Sequence, residues 1–175
     1  HRGTQGGFSF LSQREFMNRT LLADVLRHWN IEFKAERPEL APAGSPERSL
    51  FRTVVEDAGG RRFVLERVAS RAVGRKREIA ATLDWLSSRG LAGVHGYLRN
   101  GQGDSLVREA GGFWQASLFI EGVELSRPAY VLEDWRGRAL ARFLVDMKDR
   151  SDGIPFGRPG RPFSIAEFTR DLMAK

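Results

Sequence analysis

The sequence predicts an α+β fold: an antiparallel sheet with one packed helix and further helices at its flanks. Two observations carry the prediction. Short segments rich in Val, Phe and Leu are separated by glycine-rich turns, and they alternate with segments whose apolar residues recur at three- and four-residue steps. These are the signatures of strands and of amphipathic helices. With 175 residues, 41% of them hydrophobic, the chain has material for one domain, or one domain with an appendage, around an ordinary core.

The elements follow in order. Residues 1–11 include several glycines and read as a disordered lead-in. Ser12 and Glu15 have capping-box spacing, in which hydroxyl and carboxylate each satisfy a free backbone N–H at a helix start. Leu22, Val25, Leu26 and Trp29 form one apolar face, so this helix runs to about Asn30. Residues 36–46 hold three of the seven prolines, which allow at most an edge strand with a loop. Segments 50–56 and 62–68 pair as a hairpin across Asp57-Ala58-Gly59-Gly60. A helix over 75–89 puts Ile79, Leu83 and Leu86 on one face and ends at Gly90. Three short strands, 94–99, 105–109 and 113–120, are joined by turns at Asn100-Gly101-Gln102-Gly103 and Gly111-Gly112. A long amphipathic helix over 133–149 carries Trp135, Ala139, Leu140, Phe143, Leu144 and Met147. A second capping box, Ser164 and Glu167, opens a last helix with Ile165, Phe168 and Leu172 on one face.

Composition narrows the chemistry. The absence of cysteine excludes disulfides, Cys-containing zinc sites and thiol catalysis. The three histidines, His1, His28 and His95, are too scattered for a metal cluster or an acid–base pair. No apolar stretch approaches the roughly 18 residues of a membrane span, and no signal-peptide core is present. The expectation is a cytoplasmic protein with no membrane partner. The formal charge is +6, yet the arginines are scattered apart from Arg71, Arg75, Lys76 and Arg77, and no aromatic-interleaved RNA motif accompanies them. That pattern argues against nucleic acid, and the run between a strand and a helix reads either as a solvated loop or as a phosphate contact.

Three segments carry a family resemblance. They are Gly44-Ser45-Pro46-Glu47-Arg48-Ser49-Leu50-Phe51-Arg52, Phe63-Val64-Leu65-Glu66-Arg67-Val68 and Trp114-Gln115-Ala116-Ser117-Leu118-Phe119-Ile120-Glu121-Gly122. In order and spacing the chain over about 36–148 resembles the N-terminal lobe of the aminoglycoside phosphotransferase-like kinases, which include choline, homoserine and N-acetylhexosamine kinases. The segments are similar to that family's nucleotide-covering loop and strand, its third strand, and its fifth strand with the hinge. The resemblance implies a protein-kinase-like N-lobe with a five-stranded antiparallel sheet. It also implies ATP as the cofactor, with magnesium held in the other lobe, and a nucleotide and a small-molecule acceptor as partners. It assigns Gly44, Ser45, Glu47 and Ser49 to the phosphates and Phe119, Ile120, Glu121 and Gly122 to the adenine edge. Free N–H donors of a glycine- and serine-containing turn suit phosphate oxygens, and a connector leaves backbone groups unpaired for a flat base. The same residues also read as an ordinary surface loop and an ordinary turn.

Two departures from the family pattern stand out. Kinases place a lysine on the third strand, paired with a helix glutamate; here Glu66 holds that place, with Arg67 beside it facing the other side of the strand. Three readings follow: magnesium or a nearby Arg compensates, Arg67 substitutes through a local irregularity, or nucleotide binding is weakened or lost. Glu78 is the candidate for the helix glutamate, beside a reading as a solvated carboxylate next to Arg75 and Lys76. The second departure is that no histidine begins a His-x-Asp-x-x-x-x-Asn catalytic loop. The expected organisation is residues 12–122 as the lobe with its N-terminal helix and 123–175 as a linker helix and the start of a truncated second lobe. Such a chain is inactive alone and has no catalytic residue or metal ligand of its own. The competing expectation is a non-catalytic α+β interaction or dimerisation module derived from a kinase lobe, with self-association through the uncovered C-terminal helix.

Overall fold

A computed structural model describes residues 10–42, 48–122 and 133–155, with side chains from residue 19 onward. Helix α1 spans Phe10–Arg27, and strand β1, Phe33–Glu36, follows it. Strands β2 (Ser49–Asp57) and β3 (Arg62–Val68) form the hairpin; helix α2 is Val73–Ser88; strands β4 (Val107–Glu109) and β5 (Gly112–Leu118) form a second hairpin; helix α3 is Asp134–Ser151. The five strands make one antiparallel sheet in the order β1-β2-β3-β5-β4. The predicted α+β class and five-stranded sheet are therefore what the chain adopts.

Strand alternation divides the sheet into two faces. Phe63 and Leu65 of β3 share one face with Val55 of β2 and Trp114 and Ala116 of β5; α1 covers that face with Leu22, Val25 and Leu26, and Trp29 joins them from the turn at 28–30, since the helix ends at Arg27 rather than near Asn30. Trp114 fixes this core: its indole N–H donates to the Glu109 carbonyl at 3.1 Å, and its ring meets Phe51 edge-on at 6.2 Å. On the other face a smaller cluster of Val68, Ala69, Ala72 and Leu106, with Val73 and Phe113 against it, anchors the start of α2. α3 buries none of its described residues, and Trp135, Leu140, Leu144 and Val145 are exposed. It is tied to the end of α2 through Arg89, which donates to the Asp152 carbonyl, while Arg150 donates to the Arg89 carbonyl.

Several boundaries differ from expectation. The edge strand lies at 33–36, ahead of the proline-rich stretch, because pairing with β2 continues only to the Arg37 N–H bond to the Val54 carbonyl and Pro38 has no N–H to extend it. Pro38–Leu40 forms a single 3-10 turn instead. Residues 94–99 are not a strand. Leu98 donates its N–H to Ala116, but its carbonyl accepts from the Trp29 indole, so a side chain from the turn after α1 takes the acceptor that a neighbouring strand needs. The first helix reaches back to Phe10, so residues 10 and 11 belong to it rather than to a disordered lead-in. Gly90, at φ 75°, ends α2 as expected. The predicted helix from Ser164 lies outside the described residues.

Candidate functional site

The face of the sheet opposite α1 carries a row of polar side chains in register. Arg52 of β2 pairs with Glu66 of β3, and Glu66 pairs with Gln115 of β5. Residues so paired stand side by side on one face, about 5 Å apart. α2 lays Lys76 over this row. Its buried positions Ala72, Lys76 and Ala80 recur every four residues, and the two alanines let the helix approach closely enough for the lysine to reach inward. Lys76 Nζ donates to Glu66 Oε2 at 2.6 Å, and Arg52 donates to Glu66 Oε1 at 3.0 Å. The Lys76 and Glu66 side chains are only 7% and 5% exposed, so this is a buried pair.

The electrostatics follow from that geometry. Burial alone pushes the Glu66 carboxyl up, but the hydrogen bond and charge of Lys76, then those of Arg52, overcome it and hold the group below its ordinary value. Two cations thus share one carboxylate. Tyr97 closes the cluster, with Lys76 Nζ 5.8 Å from its ring centroid. Burial first, and then the Glu66 charge, push the Tyr97 hydroxyl up, while Arg52 and Arg48 pull the other way. Gln115 is fully buried, yet neither its amide nitrogen nor its oxygen has a hydrogen-bond partner among the described residues. Such an orphaned amide calls for a water or ligand partner. Beside the cluster, Arg48, Arg71, Ala72 and Arg75 line a hollow of about 420 Å³ at the start of α2. A larger hollow of about 540 Å³ lies around β4 and β5, between His28, Arg77, Gln102 and Arg108, and lacks a comparable buried ion pair.

The residues expected from sequence fall into distinct places. Gly44, Ser45 and Glu47 lie outside the described residues. Ser49 opens β2 at a register shift, and its hydroxyl donates to the Phe51 carbonyl at 3.1 Å. Glu66 is the centre of the buried cluster, whereas Arg67 points to the α1 face, with its guanidinium 5.8 Å from the Trp114 ring. The strand between them is regular, so Arg67 does not take the place of a strand lysine; Arg52 and Lys76 are the cations that compensate Glu66. Glu78 is likewise corrected as the partner from the helix. It is exposed and bonded to Arg75 at 3.3 Å, because two residues past Lys76 it is turned about 200° around α2. Phe119, Ile120, Glu121 and Gly122 follow β5 together: the Phe119 N–H reaches the Arg62 carbonyl at 3.0 Å, and Glu121 pairs with Arg62 at 2.5 Å. Lys76 was the residue that sequence reasoning missed. Its signal was available, since 76, 79, 83 and 86 form one helical stripe in which Lys76 is the only charged member. Among the described residues no group of three His, Asp or Glu side chains is placed to hold a metal ion, so none is assigned to magnesium.

An antiparallel five-stranded sheet whose third strand is ion-paired to the following helix is an arrangement that the small lobes of kinases also have. Solved structures bear out the fold. The chain is similar to an aminoglycoside phosphotransferase from Alicyclobacillus acidocaldarius subsp. acidocaldarius DSM 446, with a TM-score of 0.57 at 16% identity, covering 85% of this chain and 41% of that one. It is also similar to the amicoumacin kinase hAmiN, solved in complex with AMP-PNP, Ca2+ and Ami, with a TM-score of 0.53 at 15% identity, covering 84% of this chain and 44% of that one. This chain therefore spans less than half the length of either protein. No protein-family model matches the sequence, and no curated protein matches it.

Proposed function

We propose that this chain is the ATP-binding small lobe of a phosphotransferase that moves the γ-phosphate of ATP to a hydroxyl of a small molecule, a sugar or an amino alcohol. The observation that carries the reading is the buried link between β3 and α2, in which Lys76 and Arg52 share the Glu66 carboxylate on the α2 face of a kinase-like sheet. Fixed cations in a water-poor site stabilise phosphate charge without reorganising. The orphaned amide of Gln115 on the same face fits a site completed by a bound polar group. Residues 12–122 form the lobe, 123–175 lead into a second one that supplies magnesium ligands and the acceptor site, and the chain alone is inactive. A cytoplasmic location follows from the need for ATP; among the described residues no helix is long and apolar enough to cross a membrane.

Thermal unfolding with ATP and magnesium tests the reading. A ligand at one hundred times its Kd stabilises the folded state by about 2.7 kcal/mol, or a rise of roughly 5–11 °C for a chain of this size. The rise should saturate and should disappear when residues 44–49 are replaced. Absence of any shift in the longest chain the reading frame encodes overturns the proposal. A second reading, a non-catalytic interaction or dimerisation module, is favoured by one observation, the exposed apolar residues Trp135, Leu140, Leu144 and Val145 of α3. It requires concentration-dependent self-association in sedimentation together with no nucleotide response.

A further inference from the structure

The geometry points to a reversed ion pair: Lys76, supplied by α2, is the cation that binds the nucleotide phosphates, and Glu66, supplied by β3, is the residue that positions it. This inference rests on the small-lobe reading above and assigns the residues that would recognise the polyphosphate. In the usual arrangement the strand holds the lysine and the helix the glutamate. Here the two side chains have exchanged elements while the pair itself is kept, at 2.6 Å and almost fully buried.

Four features argue that the exchanged pair still receives an anion. An ammonium has three donors, and among the described residues Glu66 is the one hydrogen-bond acceptor that Lys76 uses. Arg52 occupies the other oxygen of Glu66, so both oxygens of the carboxylate are taken by cations. Gln115 stands next to Glu66 in the sheet with a buried amide that lacks a partner. Its NH2 is a donor suited to a phosphate oxygen. Finally, exchanging the sides of the pair moves the ammonium toward α2 by about the length of the ion pair, roughly 3 Å. A hollow lined by Arg48, Arg71, Ala72 and Arg75 lies at the start of α2, with Ala72 four residues and Arg75 one residue ahead of Lys76. Arg48 is near enough for its charge to act on Tyr97, as Glu66 does, so hollow and pair belong to one neighbourhood. The phosphate chain would therefore lie between the ammonium and the arginine rim, displaced toward the helix.

The test compares affinities for adenosine and for ATP with magnesium, by titration calorimetry at fixed salt, on the longest chain the reading frame encodes. Variants are K76Q, the charge exchange E66K/K76E, and E66L/K76M, which removes both charges of the buried pair together and so keeps the fold testable. Wild type should bind ATP at least tenfold more tightly than adenosine. K76Q and E66L/K76M should bring that ratio close to one while leaving adenosine affinity within about twofold, and E66K/K76E should restore most of it. Restoration separates a phosphate-binding role from a structural one. An ATP to adenosine ratio that survives in E66L/K76M overturns the inference and leaves the small-lobe reading standing. Wild type that binds adenosine and ATP equally overturns the inference alone. Wild type that binds neither overturns both.

Discussion

Replacing Lys76 with methionine keeps most of the side-chain volume and removes only the charge and its hydrogen bond. Glu66 is then left 5% exposed without its nearest cation. Breaking a buried pair by deleting one partner costs about 3–5 kcal/mol. Arg52 still holds the other oxygen at 3.0 Å, so the expected loss is at the lower end, about 3 kcal/mol. For a chain of this size that lowers Tm by roughly 6–12 °C. The assay is thermal unfolding followed by circular dichroism at neutral pH, alongside E66L and E66L/K76M. Replacing both buried charges leaves only the 23% exposed Arg52 without its Glu66 bond, so the double variant should be more stable than K76M. The pH dependence provides an independent arm. Burial raises the Glu66 carboxyl, but Lys76 and then Arg52 bring it below its ordinary value. Its contribution is therefore fully present above the carboxylate value of the unfolded chain and is lost as the pH falls through the lower value of the folded state. The gap between wild type and K76M should narrow over that interval. A K76M shift below about 2 °C, which is less than 1 kcal/mol here, refutes the reasoning, as does a double variant no more stable than K76M.

The turn between β4 and β5 is Ala110-Gly111, both with positive φ, at 47° and 69°. A non-glycine residue there costs about 1 kcal/mol or more, so Ala110→Gly should raise stability by about 0.5–1 kcal/mol in urea unfolding. In the core under α1, Leu26 is fully buried; Leu26→Ala should cost about 2–5 kcal/mol, measured the same way. The exposed pair of Arg75 and Glu78 at 3.3 Å predicts the opposite: Glu78→Gln should change stability by less than about 0.5 kcal/mol and leave nucleotide-dependent stabilisation intact. A large loss of nucleotide response in that variant would put Glu78 back into the site.

Much of the architecture is legible in local pattern. Val and Phe alternation around Asp57-Ala58-Gly59-Gly60 is enough to place β2 and β3, because a two-residue period and a glycine turn act over a few neighbouring residues. The spacing of Leu22, Val25 and Leu26 places the buried face of α1 for the same reason. The segment 94–99 was misread because its strand-like composition is overruled by a distant side chain, the Trp29 indole that takes the Leu98 carbonyl. The candidate site shows the same division. Glu66 in the place of a lysine is visible in the sequence as a departure, but its partner is not, since any of Arg67, Arg75, Lys76 and Arg77 is near enough along the chain to be considered.

The sequence by itself determined an α+β chain with a positive surplus and a carboxylate, Glu66, on the strand where the resembled family carries a cation. Tertiary structure alone decided what that carboxylate does. The sheet register brings Arg52 and Gln115 to its sides, and the angle of α2 turns Lys76 inward and Glu78 outward. Local propensities act over one or two turns of chain, whereas the charge state and partner of a buried group are set by whatever the packed fold brings within about 3 Å of it.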